Sequence, residues 1–301
     1  MDLGSHTFHL LSTDVVDGVL VPIDEAKVAV RMGERAFADG AISPSAWSRG
    51  LDAIEELLAP LAGRTPITVA TSVFREASNA AAFLHDVRCR FGLDVRMLSG
   101  QEEAELTFRA VCAEMIDPEA RIAVFDLGGG SLECILGERG RVELAASFPL
   151  GALRLATEVG SVDVASRVER QVMHHAGAML DEIRDREPEV VVLTSGTARA
   201  LVRVARVLGR SEPVVGCLSA PSLAALASRL ATMSPSETAR VGVPPARCDT
   251  MGSGATVLST IVQRLGVPFV RVAQGALREG LALTVWEQHA RAARGALLCA
   301  G

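Results

Sequence analysis

The sequence predicts an α/β protein made of two domains, and three observations carry that prediction. Strand and helix signals alternate along both halves of the 301-residue chain, the pattern that layered α/β architectures produce. The turn Asp-Leu-Gly-Ser at Asp2–Ser5 returns at Asp126 as Asp-Leu-Gly-Gly-Gly-Ser, each time within a run of β-meander signals. Asp117-Pro118-Glu119-Ala120-Arg121 reads as a linker, with the boundary of the duplication near 116–120. The expected domains are therefore residues 1–117 and 118–301, with the site in the cleft between them.

The elements follow in order. Residues 7–12, 18–23 and 27–33 read as strands, with the turn-prone Val16-Asp17-Gly18 after the first. A helix is expected over 43–63, from its Ser/Pro start to its Gly stop. Then come a short buried strand (66–72), a helix ending at Gly92 (79–92), a strand (93–100) and a helix (101–115). The second half restarts with strand, turn, strand, turn, strand over 122–148. A long helix (164–185), a strand (189–196) and a helix (197–209) follow, then helices over 220–233 and 254–266. A strand at 268–273 precedes a last helix from about Leu277.

Composition narrows the function classes. A net charge of −6 offers no global field for nucleic acid, and none is expected as a partner. Lys27 is the only lysine, and no GxxxxGK[ST] motif occurs, so phosphate cannot be held by a P-loop lysine. The six cysteines include no CxxC and no His at zinc spacing, which reads as reduced core thiols. His174 and His175 are adjacent in a helix pattern and point to different faces. No apolar run reaches the roughly 18 residues of a membrane span, and no charged-then-apolar leader is present. The expectation is a cytoplasmic protein with no membrane partner.

Chemistry concentrates in five places. Asp126 stands at the carboxyl end of the apolar run Ile122–Phe125. Gly128, Gly129 and Gly130 let the backbone turn tightly and aim several N–H groups at one point, a nest for anionic oxygens. Ser131 adds a hydroxyl donor; Glu133 shares its face and joins Asp126 as a candidate ligand of a hard cation. A Gly-rich hairpin alone is as often a structural turn. The earlier copy, Asp2 to Thr7, adds the second jaw of a clamp on a phosphate chain and its metal. After Ser99-Gly100, Glu102, Glu103 and Glu105 fall in a first helical turn, where they serve either as dipole caps or as a general base. Arg75, just past a strand end, is either a bidentate phosphate ligand or a surface ion pair. Ser195-Gly196-Thr197 opens a helix, as an anion site or as a plain N-cap.

Read together, DLGSHTFHLL, VRMGE, ATSVFREASN, SGQEEAELTFRAV, FDLGGGSLECILG, SFPLGALRL, SGTARAL and GALREGLAL stand in the order seen in the Ppx/GppA phosphatases. The whole chain resembles that family, the exopolyphosphatases and guanosine pentaphosphate phosphohydrolases of the actin-like superfamily. The resemblance implies two actin-like (ribonuclease H-like) domains. It implies Glu103 as general base, and Asp126 and Glu133, with Asp2 nearby, as holders of Mg2+ or Mn2+. It implies phosphate contacts from Gly128, Gly129, Gly130 and Ser131, from Ser5, His6 and Thr7, and from Arg75, Gly196 and Thr197. The expected activity is removal of terminal orthophosphate from inorganic polyphosphate, with short chains favoured because no concentrated Arg run forms a long track. Alternatives are a pppGpp 5′-phosphohydrolase, an actin-like ATPase or kinase, and a non-catalytic phosphate sensor. Homodimerisation follows from family habit. Two departures stand out: His6 occupies a position where the family has Asn, and the strand before the first Asp-x-Gly is missing. The latter leads to the expectation that Met1 is a mis-assigned start or that the chain has been trimmed.

Overall fold

The computed structural model describes all residues except 17, 18, 116, 118, 160–162, 211–215, 300 and 301. Residues 17 and 18 of the turn expected at 16–18, and residues 116 and 118 of the 116–120 linker, thus lie outside the described residues. The chain opens with β1 (Asp2–Leu3), β2 (Thr7–Val16) and β3 (Val19–Ala29), an antiparallel meander. Then follow α1 (Gly33–Asp39), α2 (Pro44–Leu58), β4 (Thr68–Ala70), α3 (Ser72–Glu76), α4 (Ala80–Phe91), β5 (Val95–Met97) and α5 (Gly100–Ala113). The first sheet has the order β3-β2-β1-β4-β5, with β4 and β5 parallel to β1.

The second half repeats the plan with β6 (Arg121–Leu127), β7 (Leu132–Glu138) and β8 (Arg141–Phe148), again an antiparallel meander. It continues through α6 (Ala152–Val159), α7 (Val164–Asp185), β9 (Val190–Thr194), α8 (Gly196–Val207), β10 (Cys217–Ser219) and α9 (Ala220–Leu230). It ends with α10 (Pro235–Arg240), α11 (Met251–Leu265), β11 (Phe269–Val272) and α12 (Leu277–Cys299). The sheet order is β10-β11-β9-β6-β7-β8, with β9 parallel to β6 and β11 parallel to β9. The duplication extends to register. Asp2 faces His9 and Leu3 faces Phe8; Asp126 faces Glu133 and Leu127 faces Leu132, every residue displaced by the same 124 positions.

Local chemistry explains most boundaries. Ser43 Oγ accepts from the Ala46 amide at 3.3 Å and Pro44 starts α2. Pro60 then ends the α-helix, and the 43–63 segment finishes as a 3₁₀ turn over Ala59–Leu61. α2 buries Leu51, Ile54 and Leu57, a helical stripe in a core that includes Phe8, Phe74 and Phe83. In the second half, β6 and β7 are buried almost throughout, because helices cover both faces. One cover is α5, whose Ala104, Phe108 and Val111 pack on Ile122, Val124 and Ile135. α12 lies on α5 so closely that a Cβ on Gly280 would overlap the Leu106 carbonyl oxygen. Among the described residues no helix is long and apolar enough to cross a membrane.

Several expectations need correction. The strands expected at 18–23 and 27–33 are one strand, β3, kept in pairing by an irregularity at Ser12/Thr13 of β2. Residues 30–33 are not strand, because the amides of Val30 and Arg31 both turn to the His6 carbonyl (3.0 and 2.9 Å). The short elements α1, α3, α6, α10 and β10 had no counterpart in the sequence reading. Of the strand expected at the first Asp-x-Gly, the structure shows β1, a two-residue piece at the centre of its sheet that corresponds to Asp126–Leu127, the last two residues of the seven-residue β6. Met1 extends β1: its amino group donates to Ile67 O at 2.5 Å and its carbonyl accepts from the Val69 amide at 3.0 Å. β1 covers only Phe8 and His9 of β2. Beyond it lies a groove of about 590 Å³ between Leu10 and Leu11, Ile67, and Leu281, Val285 and Trp286 of α12.

Candidate active site

The two Asp-Leu-Gly turns face each other. In the first, the Gly4 amide donates to Thr7 O at 3.3 Å. Ser5 O accepts from the Gly33 amide (2.9 Å), and His6 O accepts from Val30 and Arg31. Ser5 Oγ accepts from the Val73 amide at 3.2 Å. In the second, the Gly128 amide donates to Ser131 O at 3.0 Å, the same bond 124 positions on. Gly128 O accepts from the Ala152 amide (3.0 Å), and Gly129 O from Leu153 and Arg154 (3.0 and 3.1 Å). In both turns the carbonyls are drawn backwards, which directs the opposite ends of the peptide dipoles into the gap. The gap is narrow: a Cβ on Gly129 would lie 2.8 Å from His6 Cβ, and one on Gly130 would lie 2.7 Å from Ser5 Oγ. Gly151 must be glycine as well, since a Cβ there would overlap the Gly129 carbonyl oxygen.

Between the turns is a cavity of about 120 Å³. Ser5, His6, Thr7, Glu103, Asp126, Gly128, Gly129, Gly130, Ser131 and Gly196 line it, all anticipated from the sequence. Ser195, expected with Gly196 at the helix start, lines it as well, and so do Thr71, Ser72, His9 and Arg247, which were not anticipated. His6 Nδ1 lies 2.9 Å from Thr7 Oγ1, while its buried Nε2 makes no hydrogen bond within normal geometry among the described residues. Burial, with Arg247 and Arg31 nearby, lowers the His6 pKa to about 4, so the ring is neutral near pH 7.

The acidic wall separates the roles that spacing left open. Ser99 and Glu102 form a reciprocal capping box (3.1 and 2.9 Å), and Glu105 accepts from Gln101 at 3.0 Å. Glu103 alone turns inward and is 8% exposed. Burial raises its pKa to about 7 against the pull of Arg75, whose guanidinium donates to Glu103 Oε2 at 2.7 Å. Arg75 also holds Leu98 O at 2.9 Å and lines an adjoining 420 Å³ pocket with Ser72 and Ser131. Burial likewise lifts Asp2 and Asp126 to about 6, Asp126 despite accepting from Thr107 Oγ1 at 3.3 Å. Glu133 lies beneath Ser131, accepts from Ser147 Oγ at 2.8 Å, and is pushed well above the usual carboxylate range by burial and by Glu103 and Asp126.

This wall fits a hard divalent cation. Its donors are all carboxylate oxygens that repel one another; Glu103 and Asp126 line the small cavity, Asp2 and Glu133 do not, and among the described residues Asp2 Oδ1 is buried without a hydrogen-bond partner. Among the described residues no three His, Cys, Asp or Glu side chains already form a ligand cage. Mg2+ needs no such cage, because one or two carboxylates plus phosphate oxygens and water complete its shell.

The opposite wall is basic. Ser195 caps α8 through the Ala198 amide at 3.0 Å and is held at φ +152°, a region costly for any residue but glycine. The Arg247 guanidinium covers Gly196, where a Cβ would overlap it. Burial, with Arg199 and Arg203 close by, lowers the Arg247 pKa to about 10, and no carboxylate pairs with it among the described residues. No local pattern in Pro244-Pro245-Ala246-Arg247 could have announced this, because the tertiary fold alone brings it to Gly196. Thr197 turns away: its Cγ2 abuts Gly254 of α11. From this wall a larger cavity of about 630 Å³ extends past Arg199, Arg203 and Arg278, with Glu25, Glu114 and Glu279 and the apolar Val19, Leu20, Pro22 and Leu283 also lining it.

Two meander-plus-parallel sheets meeting at paired turns define a protein of the actin-like α/β fold. The chain belongs to the Ppx/GppA phosphatase family, whose sequence profile matches residues 13–289. It is 32% identical to Exopolyphosphatase 1 of Mycobacterium tuberculosis over 310 residues, covering 96% of this chain and 88% of that one. It is 28% identical to the guanosine-5′-triphosphate,3′-diphosphate pyrophosphatase of Aeromonas hydrophila, covering 93% of this chain and 58% of that one. The crystal structure of an exopolyphosphatase from Cytophaga hutchinsonii superposes with a TM-score of 0.86 at 24% identity, covering 95% of this chain and 96% of that one.

Proposed function

We propose that this chain removes the terminal orthophosphate from short inorganic polyphosphate by attack of water. The observation that carries the reading is the facing of two phosphate-ready turns between an inward Glu103 and an unpaired Arg247. The terminal phosphoryl group sits in the small cavity, its oxygens on the amides of Gly128–Ser131 and of Ser5–Thr7 and on His6 Nε2. Glu103, held by Arg75, takes a proton from water as its oxygen bonds to phosphorus. The bridging P–O bond breaks, and the charge left on the shortened chain meets Arg247. Asp126, Asp2 and Glu133 would hold Mg2+ or Mn2+. When bound, the cation offsets charge on the phosphate oxygens. In the larger cavity Lys27, Arg199, Arg203, Arg247 and Arg278 are interleaved with Glu25, Glu114 and Glu279, a mixed lining rather than a continuous basic track for a long polyanion, and the 32% identity to an exopolyphosphatase supports the substrate class. The apolar lining of that cavity favours a second reading, in which the leaving group is the nucleoside diphosphate end of pppGpp.

The test is phosphate release from tripolyphosphate, long polyphosphate, pppGpp and ATP in Mg2+. Glu103→Gln is expected to lower kcat by about 10²–10⁴-fold on the preferred substrate, the usual worth of a general base. Unchanged release would sink the assignment, and preference for ATP with an acceptor would move the chain to the kinases.

A further inference from the structure

The segment Ser147–Leu155 belongs to the sequence pattern, yet the proposed chemistry leaves its arginine without a task. Arg154 is 6% exposed. Its Nε donates to the Gly130 carbonyl at 2.9 Å, and Nη2 donates to both oxygens of Glu76 at 2.6 and 2.7 Å. The guanidinium lies 3.8 Å from the centre of the Phe37 ring. Glu158, one helical turn on, is 3.9 Å away. Phe37 sits in α1 and Glu76 in α3, so one side chain joins the second turn to two helices of the first half.

The position of these bonds matters more than their number. Gly128 O and Gly129 O are held by backbone amides of α6, whereas Gly130 O has the Arg154 side chain. Glu76 directly follows Arg75, which grips Glu103, and Ser72 Oγ of the same short helix reaches Glu76 at 3.4 Å. A continuous path therefore runs from the phosphate turn through Arg154 and α3 to the base. Among the described residues the other ion pairs across the halves, Arg31–Asp249 at 2.6 Å, Arg278–Glu25 at 3.6 Å and Arg109–Glu287, put no side-chain bond on a turn carbonyl.

We infer that Arg154 is a positioning residue. It sets the distance between the phosphoryl group held by Gly128–Ser131 and the water held by Glu103, and it does so when the two halves are joined through Glu76. This rests on the hydrolytic reading above. Misplacing reacting groups by about 1 Å costs on the order of 10²-fold in rate. Arg154→Met, which keeps an apolar stem against Phe37, should therefore lower kcat about 10²-fold at saturating substrate while KM moves little. Arg154→Lys should restore only part of this, because one ammonium cannot satisfy Gly130 O and both Glu76 oxygens in the same geometry.

Glu76→Gln supplies a second variant at a half-exposed site, lowering kcat in the same direction. The double variant Arg154→Met/Glu76→Gln should be no slower than Arg154→Met alone, as expected for residues on one path. Glu158→Gln should keep wild-type kcat. Amide hydrogen exchange supplies a readout independent of activity. In Arg154→Met, amides of both 128–131 and 72–77 should exchange faster, while those of β6 and β9 stay protected. Unchanged kcat, or a loss matched by the fraction of unfolded protein, overturns the inference. If wild type cleaves neither polyphosphate nor pppGpp, the functional reading fails. Hydrogen exchange then still decides the coupling: faster exchange at 72–77 supports it, and unchanged exchange there overturns it.

Discussion

The two turns share a register and a defining hydrogen bond, yet they are supported differently. The first hangs from β1, two residues long, and its carbonyls are held by amides of the chain that follows β3. The second ends β6, seven residues long, and its carbonyls are held by the start of α6 and by Arg154. Their lining residues diverge as well. His6 and Thr7 stand where the second turn has Gly130 and Ser131, and His9 stands where it has Glu133. Acidic functional density thus gathers on the better-braced turn, and the first turn supplies a neutral imidazole. Duplication provides matching geometry, and the side chains then divide the labour.

The largest expected effect breaks the bracing itself. Gly151→Ala places a methyl group in the space of the Gly129 carbonyl oxygen. It should cost about 10²–10³-fold in kcat/KM, comparable with losing a donor that stabilises developing oxyanion charge. Gly4→Ala brings a Cβ 2.8 Å from Thr7 O, within the first turn only, and should cost clearly less. Equal losses in phosphate-release assays would mean that the turns carry equal load.

The next effect concerns the imidazole. His6→Ala removes one hydrogen-bond donor to a charged group, worth about 1.5–3 kcal/mol, and should raise KM by roughly 10–100-fold. The pH profile distinguishes the two carriers of protons. As the proposed base Glu103 would have to be deprotonated, and with its pKa raised to about 7, kcat/KM should climb up to that pH and then level. His6, lowered to about 4, should add no step near 6.5. A wild-type inflection near 6.5 that disappears in His6→Ala would reverse this assignment.

How much of this was legible beforehand follows from how local each signal is. The turn at Gly128–Ser131 announces itself, because three glycines and a flanking strand form one contiguous pattern. Spacing left Glu103 as one of three acids, and only the family resemblance singled it out; the capping box that removes Glu102 from contention is a matter of rotamers. Arg75 was read as a phosphate ligand, and its bond to Glu103 depends on where β4 sets α3 against α5. Arg247 and Arg154 were invisible as site residues because their partners lie far along the chain, at Gly196 and at Glu76 and Gly130. The short helices α1, α3 and α6 escaped because one or two turns give too little periodicity to separate from loop.

The smallest effect tests whether the paired aspartates are electrostatic equals. Burial raises Asp126 from 3.8 to about 6, so the folded state binds the proton more tightly than the unfolded chain does. Stability is therefore lost as pH rises from about 4 to about 6, and it stays lost above. Asp126→Asn removes that penalty while retaining an acceptor for Thr107 Oγ1. Without divalent cations at pH 7.5 its Tm should exceed wild type by about 2–4 °C per kcal/mol recovered, and the gain should vanish near pH 4. Asp2→Asn should act with the same sign, since burial also lifts Asp2 to about 6. Added Mg2+ should raise the wild-type Tm more than that of either variant, because it binds the carboxylates that the variants remove. A lower Tm for Asp126→Asn at pH 7.5 would mean that its carboxylate is compensated in place, leaving Asp2 as the strained member of the pair.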